Sequence, residues 1–282
     1  MEKAPLRKTD ITIAGIRSPL IEGGNASAEE AVVFVHGNPG SSRDWEELAA
    51  QVSTFGRAIA LDMPGFGRAQ KPEYFDYTVE GYARHLASAL TELCIRRVHL
   101  VLHDFGGPWG LAWAVAHPDA LASMVLINTG AWLDYHWHFY ARMWRTPVLG
   151  EASQVMASRA SFHLLLKRDS PRSLPAAYVD QMYDTYDRGT RRAVLKLYRA
   201  TDDPARLSQA WADALRPLDR PALVVWGKHD RYLPVRLAYR QREVFPNAQV
   251  VVLEQSGHWP FADDPAGVAA VVVPFLRRML GG

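Results

Sequence analysis

The segment VLHDFGGPWG, residues 101–110, places a charged side chain directly after an apolar run and follows it with two glycines. A strand that enters a helix through a sharp turn exposes the turn residue, and small residues must follow because the two backbones come close. The segment therefore predicts a strand over 98–102, Asp104 at the turn and a helix beyond it. A carboxylate there either caps the helix or acts as a nucleophile above the sheet edge.

Apolar, β-branched runs of strand length recur along the rest of the chain. They are AVVFV (31–35), RAIALD (57–62), SMVLIN (123–128), ALVVW (222–226) and QVVVL (249–253). Most of them lack polar alternation, which is typical of parallel strands covered on both faces. Helical patterns lie between several of the runs. This alternation predicts an α/β protein with a mostly parallel central sheet flanked by helices.

One long interval breaks the alternation. No strand-like run occurs from about residue 132 to residue 217, and Arg, Trp, Tyr and Leu recur there at helical spacing. A structureless loop of that length is improbable in a compact domain, and the interval follows the carboxyl end of a strand, where α/β sheets bind ligands. We therefore expect a core formed by residues 1–131 and 216–282, with an inserted helical cap at 132–215.

Composition excludes several classes of protein. The formal net charge is +2 over 282 residues, with acidic and basic residues interleaved, so nothing indicates a nucleic-acid partner. A single cysteine, Cys94, fits a reducing compartment. The start MEKAPLRKTD lacks the apolar region of a secretory signal, and no apolar run reaches the ~18 residues of a membrane span. We expect a cytoplasmic protein with no membrane partner, no metal and no cofactor.

Two further segments place an ionisable side chain directly after a predicted strand. WGKHDRYLP puts Asp230 beyond the strand at 222–226, and EQSGHWPFADDP puts His258 beyond the strand at 249–253. With Asp104 they give the order nucleophile, acid, histidine that α/β-hydrolases use. An imidazole between two carboxylates is oriented by one of them, Asp230, while its other nitrogen activates water. This order favours the nucleophile over the helix cap as the role of Asp104.

The chain resembles the α/β-hydrolase fold family over essentially its whole length. The resemblance lies in HGNPGSSRDW, LDMPGFGRAQKP, HDFGGPWG, WGKHDRYLP and SGHWPFADDP. HDFGG resembles the branch with an aspartate nucleophile, which includes epoxide hydrolases, haloalkane dehalogenases and fluoroacetate dehalogenases. The resemblance implies that Asp104 is the nucleophile, Asp230 the orienting acid and His258 the base. It also implies an oxyanion hole formed by the backbone N–H groups of Asn38 and Phe105.

An aspartate nucleophile attacks sp³ carbon and forms an alkyl ester with the enzyme, which suits a strained ring or a good leaving group. The resemblance implies that epoxides are opened with the help of two cap tyrosines. Tyr198, in a Tyr-Arg context before Asp230, resembles the second of them, and Tyr140 resembles the first. Other tyrosines compete for the first role: Tyr135, Tyr178, Tyr183 and Tyr186. The expected reaction is hydrolysis of a small apolar epoxide to a vicinal diol, with water as the only other reactant.

Other functions stay open from the sequence. A haloalkane dehalogenase would use Asn38 and a cap tryptophan (Trp132, Trp137 or Trp144) as halide donors, although the phenyl ring of Phe105 cannot donate a hydrogen bond beside the nucleophile. A fluoroacetate dehalogenase would need an arginine there. A non-catalytic small-molecule-binding protein on the same fold would not require all three charged residues, and an ester hydrolase would place serine at position 104. The oligomeric state, monomer or homodimer, is also open.

Overall fold

A computed structural model describes residues 2–281. Eight strands form one sheet: β1 (Arg7–Ile13), β2 (Ile16–Gly23), β3 (Glu30–Val35), β4 (Arg57–Leu61), β5 (Arg97–His103), β6 (Leu121–Ile127), β7 (Ala222–Gly227) and β8 (Gln249–Leu253). Their order across the sheet is β1-β2-β4-β3-β5-β6-β7-β8. The pairs β1/β2 and β2/β4 are antiparallel, and all other pairs are parallel. The six strand-like runs of the sequence all lie in the parallel part.

Twelve α-helices accompany the sheet. They are α1 (Glu46–Val52), α2 (Val79–Glu92), α3 (Gly106–Ala116), α4 (Phe139–Arg145), α5 (Leu149–Met156), α6 (Arg159–Asp169), α7 (Ala176–Asp184), α8 (Arg188–Ala200), α9 (Pro204–Leu215), α10 (Arg236–Arg240), α11 (Pro260–Asp263) and α12 (Pro265–Met279). These are the α-helices found within residues 2–281.

Alternate residues of the central strands pack into two separate hydrophobic clusters, one on each face of the sheet. In β5, Leu100 and Leu102 join the cluster that contains Leu86 of α2, whereas Val101 joins the cluster that contains Leu48 of α1 and Val272 of α12. Because both faces are covered, the strands are apolar on both sides and show no polar alternation. The mostly parallel sheet flanked by helices agrees with the sequence prediction.

Six consecutive helices, α4 to α9, lie between β6 and β7, where the sequence predicts an inserted helical cap. Their boundaries, 139 and 215, fall inside the predicted interval. The division of the chain into a core and a cap at residues 132 and 215 stays a prediction. Within the described part of the chain, no helix combines the length and hydropathy needed to cross a bilayer.

Candidate active site

The turn between β5 and α3 holds Asp104 in a left-handed backbone conformation, with φ = +49°. The two glycines that follow it have no room for a side chain. A Cβ atom on Gly106 would lie 2.4 Å from the carbonyl oxygen of Val35, and one on Gly107 would lie 2.0 Å from Oγ1 of Thr129. The two glycines after Asp104 therefore reflect the close contact of α3 with the end of β3 and with the segment that follows β6.

The carboxylate of Asp104 accepts a hydrogen bond from the backbone of the loop after β3. The N–H of Asn38 donates to Oδ1 of Asp104 at 2.7 Å. Gly37 permits this approach, since a Cβ atom there would lie 2.4 Å from Cβ of Asp104. The Asn38–Pro39 peptide bond is cis. Asp104 does not cap α3, whose N-cap is Phe105 without a side-chain hydrogen bond.

His258 lies between the two aspartates. Its Nδ1 is 2.7 Å from Oδ2 of Asp230, and its Nε2 is 3.5 Å from Oδ2 of Asp104. All three side chains are buried. Oδ1 of Asp230 accepts the backbone N–H groups of Tyr232 and Leu233 at 2.7 and 2.9 Å. The structure thus brings together the three charged residues that the sequence places after β5, β7 and β8.

The charges of Asp104 and Asp230 favour the protonated form of His258, which then forms an ion pair with Asp104. Burial lowers the pKa of His258, but the carboxylates of Asp230 and Asp104 outweigh burial and raise this pKa to about 10. Burial raises the pKa of Asp104, yet the hydrogen bond and charge of His258 bring it below its ordinary value. The resting site therefore holds an imidazolium beside an ionised Asp104 at neutral pH.

Asn128, at the end of β6, is a residue that sequence reasoning missed. Its Nδ2 donates to Oδ2 of Asp230 at 2.7 Å, and its Oδ1 accepts the N–H of Gly227 at 2.9 Å. Its φ of +45° is one that asparagine tolerates better than most residues. The only signal in the sequence is an asparagine directly after a buried strand. Its role depends on the pairing of β6 with β7, which the sequence does not reveal.

His103 supports the loop that carries His258. Its Nε2 bonds to the backbone carbonyl oxygen of His258 at 2.8 Å, and the two imidazole rings lie 4.8 Å apart. Burial, followed by the charge of His258, lowers the pKa of His103 to about 3, so this ring is neutral. His36 binds the carbonyl oxygen of Gly37 and the N–H of Met63 through its two ring nitrogens. Both histidines hold backbone segments in place.

Above these residues lies a cavity of about 400 Å³. Asp104 and His258 form part of its wall, and most of the remaining wall comes from the inserted helices. The other lining residues are Asn38, Pro39, His138, Tyr140, Met143, Trp144, Ser153, Gln154, Met156, Ala157, Ser161, Phe162, Leu165, Leu166, Tyr186, Tyr198, Tyr232 and Trp259. A mostly apolar wall with a few polar groups is typical of a small-molecule site.

The two predicted cap tyrosines both line the cavity but have different partners. The hydroxyl of Tyr198, on α8, accepts a hydrogen bond from Nδ2 of Asn38 at 3.4 Å. The hydroxyl of Tyr140, on α4, accepts one from the Arg168 guanidinium at 2.6 Å. Burial, followed by the charge of Asp104, raises the pKa of Tyr198 well above its ordinary value, so the hydroxyl keeps its proton. Asn38 thereby links Tyr198 to Asp104, because its N–H binds the Asp104 carboxylate and its Nδ2 binds the Tyr198 hydroxyl.

Among Phe105 and the three candidate tryptophans, Trp144 lines the cavity and the other three residues do not. The buried ring of Phe105 lies edge-on to Trp132 and Tyr198, at ring distances of 5.2 and 4.9 Å. Trp132 and Trp137 are not among the residues that line the cavity, whereas Trp144 is.

Among residues 2–281, no group of three or more His, Cys, Asp or Glu side chains could hold a metal ion. The participation of the Phe105 N–H in an oxyanion hole stays a prediction.

Comparisons with known proteins show which sequences and folds the chain is similar to. Residues 30–265 match a family described as the alpha/beta hydrolase fold. The chain is 28% identical over 269 residues to a 2-hydroxy-6-oxo-2,4-heptadienoate hydrolase of Pseudomonas putida, covering 89% of this chain and 91% of that protein. The epoxide hydrolase CorEH superposes with a TM-score of 0.83 at 16% identity, covering 98% of this chain and 100% of that one. The haloalkane dehalogenase DbeA of Bradyrhizobium elkani superposes with a TM-score of 0.82 at 24% identity, covering 98% and 99%. At these identities the two structural likenesses show the fold alone.

Proposed function

The chain belongs to the α/β-hydrolase fold family, and on that premise we propose that it hydrolyses epoxides to vicinal diols through an alkyl ester on Asp104. The observation that carries the proposal is the position of the Asp104 carboxylate. It lies at the turn after β5, on the wall of an apolar cavity, with Nε2 of His258 3.5 Å away. A serine nucleophile would instead serve ester substrates, and position 104 holds none.

In the first step, an Asp104 carboxylate oxygen attacks an epoxide carbon. The new C–O bond forms as the ring C–O bond breaks, and the electron pair of the broken bond moves to the ring oxygen. Tyr198 donates its hydroxyl proton to this oxygen and becomes a phenolate. Tyr140, which also lines the cavity, is the second hydroxyl that the family resemblance implies for this role.

The ester removes the negative charge of Asp104. His258 then loses one of the two carboxylates that raise its pKa, so its proton becomes easier to remove. We propose that this proton passes through solvent to the Tyr198 phenolate. The result is a neutral Tyr198 and a neutral His258, which is now a base.

In the second step, His258 takes a proton from water and the hydroxide adds to the ester carbonyl carbon. The N–H of Asn38, 2.7 Å from Oδ1 of Asp104 in the free protein, supports the negative oxygen of the tetrahedral intermediate. The N–H of Phe105 is the second proposed donor. Collapse of the intermediate releases the diol, and the proton of the carboxyl group goes to the departing alkoxide. Asp104 is again ionised and His258 again protonated.

A haloalkane dehalogenase is the second candidate, and two observations favour it. The Asn38 side chain and Trp144 both line the cavity, so an amide and an indole N–H could hold a departing halide. Against it, the side chain of Phe105 offers no donor beside the nucleophile, because a phenyl ring has no N–H. An epoxide substrate also gives Tyr198 a role, because a departing alkoxide needs a proton from an acid and a departing halide does not.

The two candidates are separated by their products. The protein is incubated with styrene oxide and, separately, with a bromoalkane, and diol and free bromide are measured. We expect diol from the wild-type protein and none from Asp104→Ala. Bromide release without diol would replace the epoxide with a halide as the substrate class. If neither product formed, a non-catalytic binding role on this fold would gain support.

A further inference from the structure

We propose that Gln154 and Tyr186 form a second binding subsite in the cavity, which takes an uncharged hydroxyl group at the far end of the substrate. The inference rests on the proposed function and narrows the substrate class to epoxides whose apolar chain ends in a hydroxyl. Gln154 lies on α5, and Tyr186 lies between α7 and α8. Both line the same cavity as Asp104, yet neither has a role in the proposed reaction steps.

The amide of Gln154 is buried and carries an acceptor that lacks a donor. The residue is 4% exposed, and its Oε1 has no hydrogen-bond partner within residues 2–281. A buried acceptor without a donor is unfavourable for the folded protein, so such groups are rare in protein interiors. On the wall of a cavity, a bound ligand can supply the missing donor.

The neighbouring Tyr186 supplies the complementary group. Burial raises the pKa of this buried tyrosine to about 12, and a hydrogen bond from Gln154 opposes the rise. The hydroxyl therefore keeps its proton at neutral pH. The amide N–H of Gln154 serves the Tyr186 oxygen, which leaves Oε1 as the open acceptor. A hydroxyl group of the substrate can donate to Oε1 and accept from the Tyr186 O–H with a single oxygen atom.

One guanidinium fixes the backbone at both residues. Arg191, on α8, donates from Nη1 to the carbonyl oxygen of Gln154 and from Nη2 to that of Ala157, the second at 2.8 Å. Its Nε donates to the carbonyl oxygen of Tyr186 at 3.1 Å. Gln154 and Tyr186 are thus held in place before substrate binds, which lowers the entropic cost of binding a ligand between them.

The subsite suits a neutral group better than a carboxylate. In the part of the chain that the structure describes, none of the residues that line the cavity is Lys or Arg. The donors of Arg191 are directed at backbone carbonyl oxygens. A substrate carboxylate would therefore be buried without a cation and against the open Oε1 of Gln154, which is strongly disfavoured.

The subsite lies apart from the reacting atoms. The charge of Asp104 contributes to the pKa of Tyr198, whereas burial, Gln154 and Arg191 determine the pKa of Tyr186. The apolar ring of Phe162, 5.0 Å from the ring of Tyr186, belongs to the cavity wall beside the subsite. A substrate that fills the cavity therefore needs an epoxide at one end, an apolar chain and a polar group at the other end.

The test uses terminal epoxides with unbranched alkyl chains of increasing length, each with and without a hydroxyl on the last carbon. We measure kcat/KM for diol formation and take the ratio of the two substrates of each length. At the length that spans the cavity, we expect the wild type to prefer the hydroxylated epoxide about 10-fold, the effect of one net hydrogen bond. In Gln154→Leu and in Tyr186→Phe the ratio should fall towards one. A loss of folded protein lowers both kcat/KM values equally and leaves the ratio unchanged.

Gln209→Leu is the matched control, because Gln209 is exposed on α9 and outside the cavity. It should keep the wild-type ratio. The inference is overturned if the wild type shows no preference at any chain length, or if either cavity variant keeps the wild-type ratio. Better use of an epoxide that ends in a carboxylate would also overturn it. If no member of the series gives diol, styrene oxide separates the two failures: diol from it overturns the inference alone, and no diol overturns the proposed function.

Discussion

Nε2 of His258 lies 3.5 Å from Oδ2 of Asp104, so the proposed base and the proposed nucleophile form an ion pair before substrate binds. This contact makes the protonation of His258 depend on the charge of Asp104. An imidazolium cannot accept a proton from water, and the histidine must lose its proton before the second step. Alkylation of Asp104 causes His258 to lose its proton, because a neutral ester does not stabilise the imidazolium as the carboxylate does.

The first prediction concerns the pKa of His258. Asp104→Asn replaces the carboxylate with a neutral group of the same shape, and therefore imitates the ester electrostatically. We expect the pKa of His258, about 10 in the wild type, to fall in Asp104→Asn because only Asp230 remains as a carboxylate partner. NMR titration of the imidazole resonances measures both values. Equal pKa values in the two proteins would mean that the nucleophile does not control the base.

The second prediction concerns stability against pH. The folded-state pKa of His258 lies above its ordinary value of 6.5. Its contribution to stability is therefore complete below pH 6.5 and is lost as the pH rises towards 10. We expect the free energy of unfolding to decline more steeply over this range in the wild type than in Asp104→Asn. Urea unfolding at several pH values measures the difference, and parallel curves would contradict the ion pair.

The third prediction concerns Asn128. Asn128→Gly tolerates the positive φ but removes the hydrogen bonds to Asp230 and to the N–H of Gly227. Each buried group left without a partner costs about 1–3 kcal/mol, so thermal stability should fall. Asp230 should also hold His258 less firmly, which slows ester hydrolysis more than ester formation. An unchanged melting temperature together with wild-type ester hydrolysis would remove Asn128 from the site.

The fourth prediction concerns Tyr198. Tyr198→Phe keeps the ring that packs on Phe105 but removes the proposed acid. We expect ester formation from styrene oxide to slow by about 10²-fold or more, within the range of general acid catalysis. Hydrolysis of the ester already formed should proceed at the wild-type rate. Tyr74→Phe, at a position that is 76% exposed, is the matched control. If Tyr198→Phe opened the ring at the control rate, Tyr198 would not be the acid.

Sequence patterns predicted the six parallel strands of the sheet well, because strands buried on both faces are apolar throughout. The antiparallel hairpin of β1 and β2 was missed. In β1 the side chains alternate between exposed and covered positions, and most residues of the run RKTDITI are polar. Such an edge strand resembles a polar segment unless its partner is known, and the partner is identified only by the register of the folded sheet.

The residues of the site likewise divide into those that local sequence patterns reveal and those that only the folded structure reveals. Asp104, Asp230 and His258 could be found because each follows a recognisable strand, and the carboxyl ends of parallel strands meet at one edge of the sheet. Asn128 could not be found, because its importance depends on contacts made across elements. Likewise, nothing in the sequence indicates that the hydroxyl of Tyr140 is bound by Arg168, 28 residues away.

The central claim is that a carboxylate oxygen of Asp104 bonds covalently to substrate carbon and that water then attacks the ester carbonyl. The most direct measurement is the mass of the peptide containing Asp104 after many turnovers in water labelled with heavy oxygen. We expect this peptide to gain heavy oxygen in the Asp104 carboxylate, and Asp104→Asn incubated in the same way to gain none at this position. Diol formation with no label in Asp104 would contradict the covalent mechanism, because water would then have attacked the substrate directly.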